Sequence, residues 1–560
     1  MQVPMELLRR LILGVAALGL ACQAERAVRP PDEGPTSLVL IHTADLHSHL
    51  FPERTTLSFA DAARGLGPAR EVSAVGGFAR VASIVSAIRA GAEHSLYLDS
   101  GDVIEGSAAF TEFGGEPELR AYSAVSVGAV ALGNHDLDPG VSAFTDMHRR
   151  FARFPVLAAN FADNGSELAA DLVPSVVLDA QGLKVGVIGV ANPSSPPGLG
   201  EADNPYGVRL LPTARAVQSE IDRLRAAVDV IVLISHLGLN GDESLVQSTS
   251  GLDVVLGGHQ HLTLDSALER ADCGPALQME RACQPRRVII AHSGALGHYV
   301  GQIALSLQRE ADGHAEPGLE VVAASQSLVP VSATVAEDPS VAALLEPYRA
   351  SLHAAGYDTP LAFAVSQVER DAANGGASAL GNLIADAIRA RTGADLVLLN
   401  STGIRASLPP GELDRAAFIA ALPFADTLAA LAISGAQLRA LLNQQARVAS
   451  DRGCQTPIQI SGLTLELKCS GTGSTARASL APSGRALDSQ ATYVLVTTTY
   501  LAKGGSGFEL LAPLSRSALE ADPLQVVLDA VAGLPNCAQS ALPCVDPLSL
   551  RDGRIVMTPG

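Results

Sequence analysis

The chain has 560 residues, which is enough for two or three domains of ordinary size. Its composition, 47% hydrophobic and 17% charged, is that of a folded globular protein and excludes a largely disordered one. The formal net charge of -19, with no long Lys/Arg run, argues against a nucleic-acid-binding protein, because an acidic surface repels the phosphate backbone.

The N-terminal segment has the pattern of an export signal. Arg9 and Arg10 precede the apolar run Leu11–Ala21. This run is too short to span a bilayer, which takes about 20 apolar residues, and it has the length of a signal-peptide core. We therefore predict a signal peptide over residues 1–22 and a Pro-rich tether over 23–36.

The end of this run, Leu18-Gly19-Leu20-Ala21-Cys22, resembles a bacterial lipoprotein signal, in which the cysteine is lipidated and becomes the mature N-terminus. Gly19 departs from the usual Leu, so cleavage by the ordinary signal peptidase after Ala21 or Ala24 is the alternative. The prediction is an exported bacterial protein, periplasmic or anchored in the outer membrane. A lipid on Cys22 would be its single membrane attachment.

The other six cysteines form three neighbouring pairs along the chain. We predict the local disulfides Cys273–Cys283, Cys454–Cys469 and Cys537–Cys544. Short-range pairing of this kind is typical of proteins that fold in an oxidising compartment.

Short apolar runs alternate with helical patterns through the first 300 residues. The strand-like runs are Leu38–Ile41, Leu96–Leu98, Val130–Leu132, Val156–Ala159, Val185–Val190, Val230–Ile234 and Val254–Leu256. Helical patterns cover Phe78–Ile88 and Ala214–Leu224. Strands as apolar as these are buried on both faces, so the pattern predicts an α/β fold with its sheets between other layers.

The pattern breaks near Pro330–Pro339, and Val341–Ala354 is predicted to be a connecting helix. A second α/β unit follows. Its predicted elements are a helix at Leu380–Ile388 and strands at Leu396–Leu399, Leu428–Ile433, Leu463–Leu467 and Tyr493–Val496. Because Cys454 and Cys469 bracket one of these strands, we expect their disulfide to close a hairpin.

Five of the strand-like runs in the first unit end in residues that can bind metals. These clusters are Asp45-Leu46-His47, Gly101-Asp102, Gly133-Asn134-His135-Asp136, Ser235-His236 and Gly257-Gly258-His259-Gln260-His261. Ligands of α/β sheets gather outside the carboxyl ends of strands, so the five clusters can converge on one site. Carboxylate, imidazole and amide oxygen suit divalent metals. A single histidine would more often be an ordinary surface or core residue, but five clusters at strand ends favour a metal site.

This order of motifs resembles that of the calcineurin-like metallophosphatases. The longer matches, Ile41-His42-Thr43-Ala44-Asp45-Leu46-His47-Ser48-His49 and Gly133-Asn134-His135-Asp136-Leu137-Asp138, resemble the 5′-nucleotidase branch. The resemblance implies a four-layer α/β/β/α metallophosphatase sandwich over residues 37–330. A linker helix over 331–355 and a smaller α/β substrate-binding domain over 356–560 would follow.

The resemblance also implies two divalent metal ions, which could be Zn, Mn, Fe, Co or Mg. One would be held by Asp45, His47, Asp102 and His261, and the other by Asp102, Asn134, His236 and His259, with Asp102 shared. Such a pair can activate water and neutralise phosphoryl oxygens during in-line attack. By the same resemblance, His135 contacts the transferring phosphate and assists the leaving oxygen, while Asp138 orients it.

Four stretches of the second unit resemble the 5′-nucleotidase C-terminal domain. They are Leu380-Gly381-Asn382-Leu383-Ile384-Ala385-Asp386-Ala387, Asn400-Ser401-Thr402-Gly403-Ile404-Arg405, Leu422-Pro423-Phe424 and Tyr500-Leu501-Ala502-Lys503-Gly504-Gly505-Ser506-Gly507-Phe508. The resemblance implies that Arg405 contacts the substrate phosphate or its neighbours. It implies that Phe424 and Tyr500 stack on a nucleobase, although core packing is the commoner role of an aromatic residue. Asn400 and Ser506 would complete the substrate site.

Two departures from the family pattern affect substrate recognition. Ser506 stands where the family usually has Asp, whose carboxylate accepts hydrogen bonds from sugar hydroxyls. The family also tends to have an arginine close before the Leu-Gly-Asn motif, whereas here the nearest one, Arg370, is separated from it by residues 371–379. Neither departure affects the metal ligands.

The predicted function is hydrolysis of nucleoside 5′-monophosphates or related nucleotides, small-molecule substrates, to nucleoside and phosphate. Hydrolysis of UDP-sugars or of 2′,3′-cyclic nucleotides on the same fold is the alternative. A non-catalytic binding lipoprotein is disfavoured, because it would not need the complete ligand set together with His135 and Asp138.

Overall fold

The computed structural model describes residues 35–163, 168, 171–193, 204, 206–308, 319–372 and 374–560. The predicted signal peptide, Cys22 and most of the predicted tether lie outside the described residues. No helix within the described ranges is both long enough and apolar enough to cross a membrane.

The first part of the chain alternates strands and helices. Its described strands are β1 Thr36–Thr43, β2 Glu53–Thr56, β3 Val72–Val75, β4 Ser95–Asp99, β5 Ala129–Ala131, β6 Val156–Leu157, β7 Phe161–Asp163, β8 Leu172–Val173, β9 Ser175–Ala180, β10 Leu183–Val190, β11 Val208–Leu210, β12 Val230–Ser235, β13 Val254–Gly257, β14 Leu268–Ala271, β15 Arg287–His292, β16 Tyr299–Gln308 and β17 Glu320–Pro330. Its described helices are α1 Phe59–Ala63, α2 Phe78–Gly91, α3 Ala108–Phe113, α4 Glu116–Ala124, α5 Val141–Phe151, α6 Thr213–Leu224, α7 Leu239–Gln247, α8 Pro275–Glu280 and α9 Pro339–Ala354.

Two sheets pack face to face in this part. One has the order β17-β16-β1-β4-β5-β6-β8 and the other the order β14-β15-β13-β12-β10-β9. An apolar core that includes Leu40, Leu98, Ile234 and Leu256 lies between them. Helices such as α2 and α4 cover the outer face of the first sheet, and α6 and α7 cover that of the second. The four-layer α/β/β/α sandwich predicted from the sequence is confirmed.

The strand directions explain why the predicted ligands meet. Strand β4 pairs in parallel with both β1 and β5 in the first sheet. In the second sheet, β12 pairs in parallel with β10 and β13. The carboxyl ends of parallel neighbours lie at one edge of a sheet, so the loops that follow these strands are adjacent.

The second part is a smaller α/β unit. Its strands are β18 Pro360–Ala364, β19 Leu396–Asn400, β20 Gly411–Asp414, β21 Leu428–Ser434, β22 Ile458–Ser461, β23 Leu463–Cys469, β24 Thr475–Leu480, β25 Thr492–Thr498, β26 Arg516–Leu519, β27 Cys544–Val545 and β28 Ile555–Pro559. Its helices are α10 Ala379–Thr392, α11 Arg415–Ala421, α12 Gly435–Asp451, α13 Thr499–Ala502, α14 Pro523–Ala532 and α15 Pro547–Leu550. The central sheet has the order β22-β19-β25-β21-β26, with α10 and α12 in the apolar cores beside it. Helix α9, within the segment predicted to be a linker, packs Val341, Leu345 and Leu352 into the core of the first part.

All three predicted disulfides are present, joining Cys273 to Cys283, Cys454 to Cys469 and Cys537 to Cys544. The predicted hairpin is wrong. Strand β22 pairs with β19 in the central sheet, whereas β23 pairs with β24 and β28 in a separate sheet. The Cys454–Cys469 disulfide therefore ties the end of α12 to the end of β23. The chain passes from the central sheet to the separate sheet at Gly462, which has a positive φ of 86°.

Candidate metal centre

The structure brings together all seven side chains predicted to bind metal. Six of them form two clusters, and within each cluster the atoms that could bind a metal lie within 4.8 Å of one another. The first cluster is Asp45, His47 and His261, and the second is Asp102, His236 and His259. The seventh side chain, Asn134, places its Oδ1 3.0 Å from Nδ1 of His259. These residues follow β1, β4, β5, β12 and β13, so the strand ends meet as the sequence indicated.

Asp102 lies between the two clusters. Its Oδ2 is 3.0 Å from Nε2 of His236 and 3.7 Å from Nε2 of His47. Oδ1 of Asp45 is 4.0 Å from Nε2 of His236. One carboxylate can therefore reach both clusters, as a shared ligand requires.

The hydrogen bonds of the histidines favour metal binding. Nδ1 of His47 lies 3.2 Å from the carbonyl oxygen of Glu105, and Nδ1 of His236 lies 2.6 Å from that of Ser100. If each Nδ1 donates to its carbonyl, each Nε2 presents a lone pair to the centre. Nε2 of His47 then faces Nε2 of His261 at 3.0 Å, and the buried Nε2 of His236 faces Oδ2 of Asp102, also at 3.0 Å. Acceptor atoms that face one another in this way fit a bound cation.

The electrostatics of the histidines agree with this geometry. Burial, together with His236, lowers the pKa of His259 to about 4, and burial, together with Arg405, lowers the pKa of His261 to about 3. Both imidazoles are therefore neutral near pH 7, the state that binds metal. Burial also opposes the charge of Asp102, but His236 and His135 outweigh burial and hold the pKa of Asp102 well below its usual value. The carboxylate between the clusters is therefore ionised.

His236 differs from these two histidines. Burial opposes its protonation, but Asp102 and Asp45 outweigh burial and raise the pKa of His236 to about 10. The surroundings of His236 thus favour positive charge at this point. A bound divalent ion would supply this positive charge in place of a proton on His236.

The backbone of the centre is strained. Five of the seven side chains are carried by residues in the left-handed region, with φ between 48° and 75°: Asp45, His47, Asp102, His259 and His261. Gly133 allows the loop after β5 to approach closely, because a Cβ there would overlap Asp102. Gly133 is visible in the sequence, but the left-handed conformation of the five metal-capable residues themselves is not.

His135 and Asp138 form a hydrogen-bonded pair beside the clusters. Nδ1 of His135 is 2.6 Å from Oδ2 of Asp138, and its backbone N–H donates to Oδ1 of Asp102 over 2.8 Å. Burial opposes protonation of His135, but Asp102 and Asp138 outweigh burial and raise its pKa. Because Nδ1 is hydrogen-bonded to Asp138, Nε2 is the ring nitrogen that is available to contact a substrate.

Two residues of the second part reach the centre. Nη2 of Arg405 lies 2.9 Å from Nε2 of His261 and 3.2 Å from Nε2 of His47. The ring of Phe424 stacks on that of His135, with centroids 5.2 Å apart. A pocket lined in part by His47, His261, Arg405 and Phe424 lies between the two parts.

The other predicted substrate residues form a second group. Nδ2 of Asn400 donates to Oγ of Ser506, and this hydroxyl donates to the hydroxyl of Tyr500, both over 3.3 Å. Tyr500 is 38% exposed, and its ring covers Gly505. Asn400 and Tyr500 adjoin the carboxyl ends of β19 and β25, which are parallel neighbours. Among the described residues, no hydrogen bond joins this group to the seven metal-capable side chains.

Three residues near the centre were not predicted to belong to it. Nδ2 of Asn192 is 3.0 Å from Nε2 of His259, and Asn192 follows β10, so the rule of polar residues at strand ends could have found it. Arg370 donates from Nη1 to the carbonyl oxygen of Arg405 over 2.5 Å, despite its shifted place in the sequence. Glu105 is 3% exposed, and burial together with Asp138 raises its pKa to about 8. No sequence signal indicated Glu105.

Comparisons with known proteins agree with this arrangement. Residues 38–262 match the family model for calcineurin-like phosphoesterases, and residues 354–513 match that for the 5′-nucleotidase C-terminal domain. The chain is 26% identical to a 5′-nucleotidase of Bos taurus, over 86% of this chain and 85% of the relative. It is 24% identical to the trifunctional nucleotide phosphoesterase protein YfkN of Bacillus subtilis, over 87% of this chain and 33% of that longer protein. A solved structure, the 5′-nucleotidase precursor from Thermus thermophilus, is 27% identical with a TM-score of 0.77, over 93% of this chain and 99% of that chain.

Proposed function

We propose that this chain, which belongs to the 5′-nucleotidase family of calcineurin-like phosphoesterases, hydrolyses nucleoside 5′-monophosphates or related nucleotides to nucleoside and phosphate. Its membership makes it a metal-dependent phosphoester hydrolase. The observation that carries the proposal is the ionised Asp102 carboxylate, which lies between two clusters of buried side chains that can bind metal.

We further propose that one divalent ion is held by Asp45, His47, Asp102 and His261, and a second by Asp102, Asn134, His236 and His259. Bound there, the ions would supply positive charge to the phosphoryl oxygens and make a water molecule more acidic. We also propose the domain limits that the sequence indicated, 37–330 and 356–560, with the linker helix over 331–355 between them.

The chain's own residues would bind the ester and handle one proton. The guanidinium of Arg405, at the edge of the pocket, would contact phosphoryl oxygens. Nε2 of His135, whose raised pKa favours the protonated ring, would give its proton to the leaving oxygen as the P–O bond breaks. Asp138 would hold the imidazole through Nδ1. A water molecule would supply the new oxygen on phosphorus and return a proton to the solvent.

The identity of the sugar and of the base depends on the second group of residues. Phe424 and Tyr500 offer aromatic faces to a base, and Asn400 and Ser506 offer neutral polar groups to a sugar. Since Ser506 supplies no carboxylate, UDP-sugars and 2′,3′-cyclic nucleotides are kept as alternative substrates. Export is part of the proposal, and the three disulfides support it because they need an oxidising compartment.

A substrate panel tests this proposal. Release of phosphate from adenosine monophosphate, a UDP-sugar, a 2′,3′-cyclic nucleotide and an aryl phosphate is measured before chelation, after chelation and after return of metal. We expect the nucleoside monophosphate to be hydrolysed with the highest kcat/KM and chelation to abolish its turnover. Chelator-sensitive hydrolysis of the aryl phosphate without hydrolysis of any nucleotide would contradict the assigned substrate class. Turnover that survives complete metal removal would contradict the metal-dependent chemistry.

A further inference from the structure

Phe424 makes a contact that stacking on a base does not explain. Its ring lies against the imidazole of His135, with centroids 5.2 Å apart and planes inclined by 23°. The contact joins the loop after α11 to the 3₁₀ turn His135–Leu137 that follows β5. One face of Phe424 is therefore occupied by the residue that would protonate the leaving group.

The imidazole of His135 needs such a contact to be fixed in direction. Its hydrogen bond to Asp138 holds Nδ1 at 2.6 Å, but a single hydrogen bond leaves the ring free to tilt about that axis. The χ2 torsion of histidine is broad and does not set the plane by itself. Phe424 covers one side of the ring, and the ring of His47 meets it edge-on at 5.4 Å and 63°. These two ring contacts, one stacked and one edge-on, restrict the direction in which Nε2 points.

Phe424 is itself held in place. The Cζ atom of Arg405 lies 5.9 Å from the centre of its ring. The carbonyl oxygen of Phe424 accepts the backbone N–H of Asp426 over 2.8 Å. Oδ2 of Asp426 in turn accepts the backbone N–H of Tyr500 over 3.0 Å. These hydrogen bonds hold the backbone of the loop that carries Phe424, and Arg405 lies beside its ring.

We propose that Phe424 is a positioning residue for His135: stacked on the imidazole from the other half of the chain, it aims Nε2 at the leaving oxygen. The inference rests on the proposed function, in which His135 donates that proton. It gives Phe424 a part in the chemical step that does not depend on the presence of a base.

Two substrates separate this role from base stacking. Adenosine monophosphate has a base for Phe424 to stack on, and ribose 5-phosphate has none. We expect Phe424→Ala to lower kcat about fivefold for both substrates, the scale of one aromatic contact, and Phe424→Tyr to restore most of the loss. The control is Phe59→Ala, which removes a ring that is 66% exposed and contacts Arg70, and it should leave both rates unchanged. An increase in KM for adenosine monophosphate alone, with normal kcat on ribose 5-phosphate, would overturn the proposal.

Two further measurements tie the effect to His135. In a His135→Ala background, where residual turnover is measured at high enzyme concentration, Phe424→Ala should cause no further loss of kcat. A repeated fivefold loss there would show that Phe424 acts elsewhere. In histidine-labelled protein, the NMR signal of His135, assigned by its disappearance in His135→Ala, should shift in Phe424→Ala through loss of the ring current.

The NMR measurement needs no turnover, so it judges the contact even if the proposed function fails. If neither ester is hydrolysed by the parent protein, the proposed function is wrong. An unmoved His135 signal in Phe424→Ala would overturn the positioning role whatever the activity.

Discussion

Replacing Asp102 by asparagine is expected to lower kcat by at least about 10³-fold and to reduce the bound metal. The substitution keeps the shape of the side chain but removes the charge that both clusters face, at 3.0 Å from His236 and 3.7 Å from His47. Loss of metal-ion catalysis removes several kcal/mol of transition-state stabilisation, which is a loss of this order. The measurements are the rate of phosphate release and the metal content of the purified protein.

The control for this experiment is Asp265→Asn. Asp265 is an exposed carboxylate paired with Arg64 on the surface, so its loss should change neither the rate nor the metal content. If Asp102→Asn kept two ions per chain and nearly the parent rate, Asp102 could not be the shared ligand. The dinuclear centre proposed here would then have to be abandoned.

Replacing His135 by alanine is expected to lower kcat by about 10²- to 10⁴-fold while the metal content stays unchanged, the range associated with loss of a general acid. His135 hydrogen-bonds Asp138 through Nδ1 and is outside both clusters, so its imidazole is not needed to hold an ion. The loss should be largest for a nucleoside monophosphate, whose alcohol leaving group needs a proton.

An aryl phosphate with an acidic phenol serves as the matched substrate. Its leaving group departs without a proton, so His135→Ala should affect it much less than the nucleotide. Equal losses for both esters would mean that His135 acts on the phosphoryl group rather than on the leaving oxygen. An unchanged rate with both esters would remove His135 from the mechanism.

The layers and the metal-capable side chains could be predicted because their signals are local. Strand β12 is apolar from Val230 to Ile234 and buried along its whole length, so its run is visible in the sequence. Helix α6 buries Val217, Ile221 and Leu224, the three residues that carry its periodicity. The polar residues after these strands are then expected to lie close together, because the carboxyl ends of parallel strands share one edge of a sheet.

The contacts between the two halves could not be predicted in this way. Arg405 and His47 are 358 residues apart, and no periodicity relates them. The stack of Phe424 on His135 depends on how one loop meets another, which a motif does not encode. The misplaced hairpin has the same origin, because the sheet that each strand joins is decided by tertiary pairing and not by the turn at Gly462.

The left-handed backbone at five of the proposed ligand positions gives those positions two opposed physical preferences. Each such residue costs the fold roughly 1–2 kcal/mol relative to an unstrained conformation, a cost that glycine escapes. Glycine at any of the five would relax the chain and at the same time remove an oxygen or nitrogen that we propose as a metal ligand. The stability of the metal-free protein therefore favours glycine at these five positions, whereas the activity of the metal-bound enzyme favours the residues that are present.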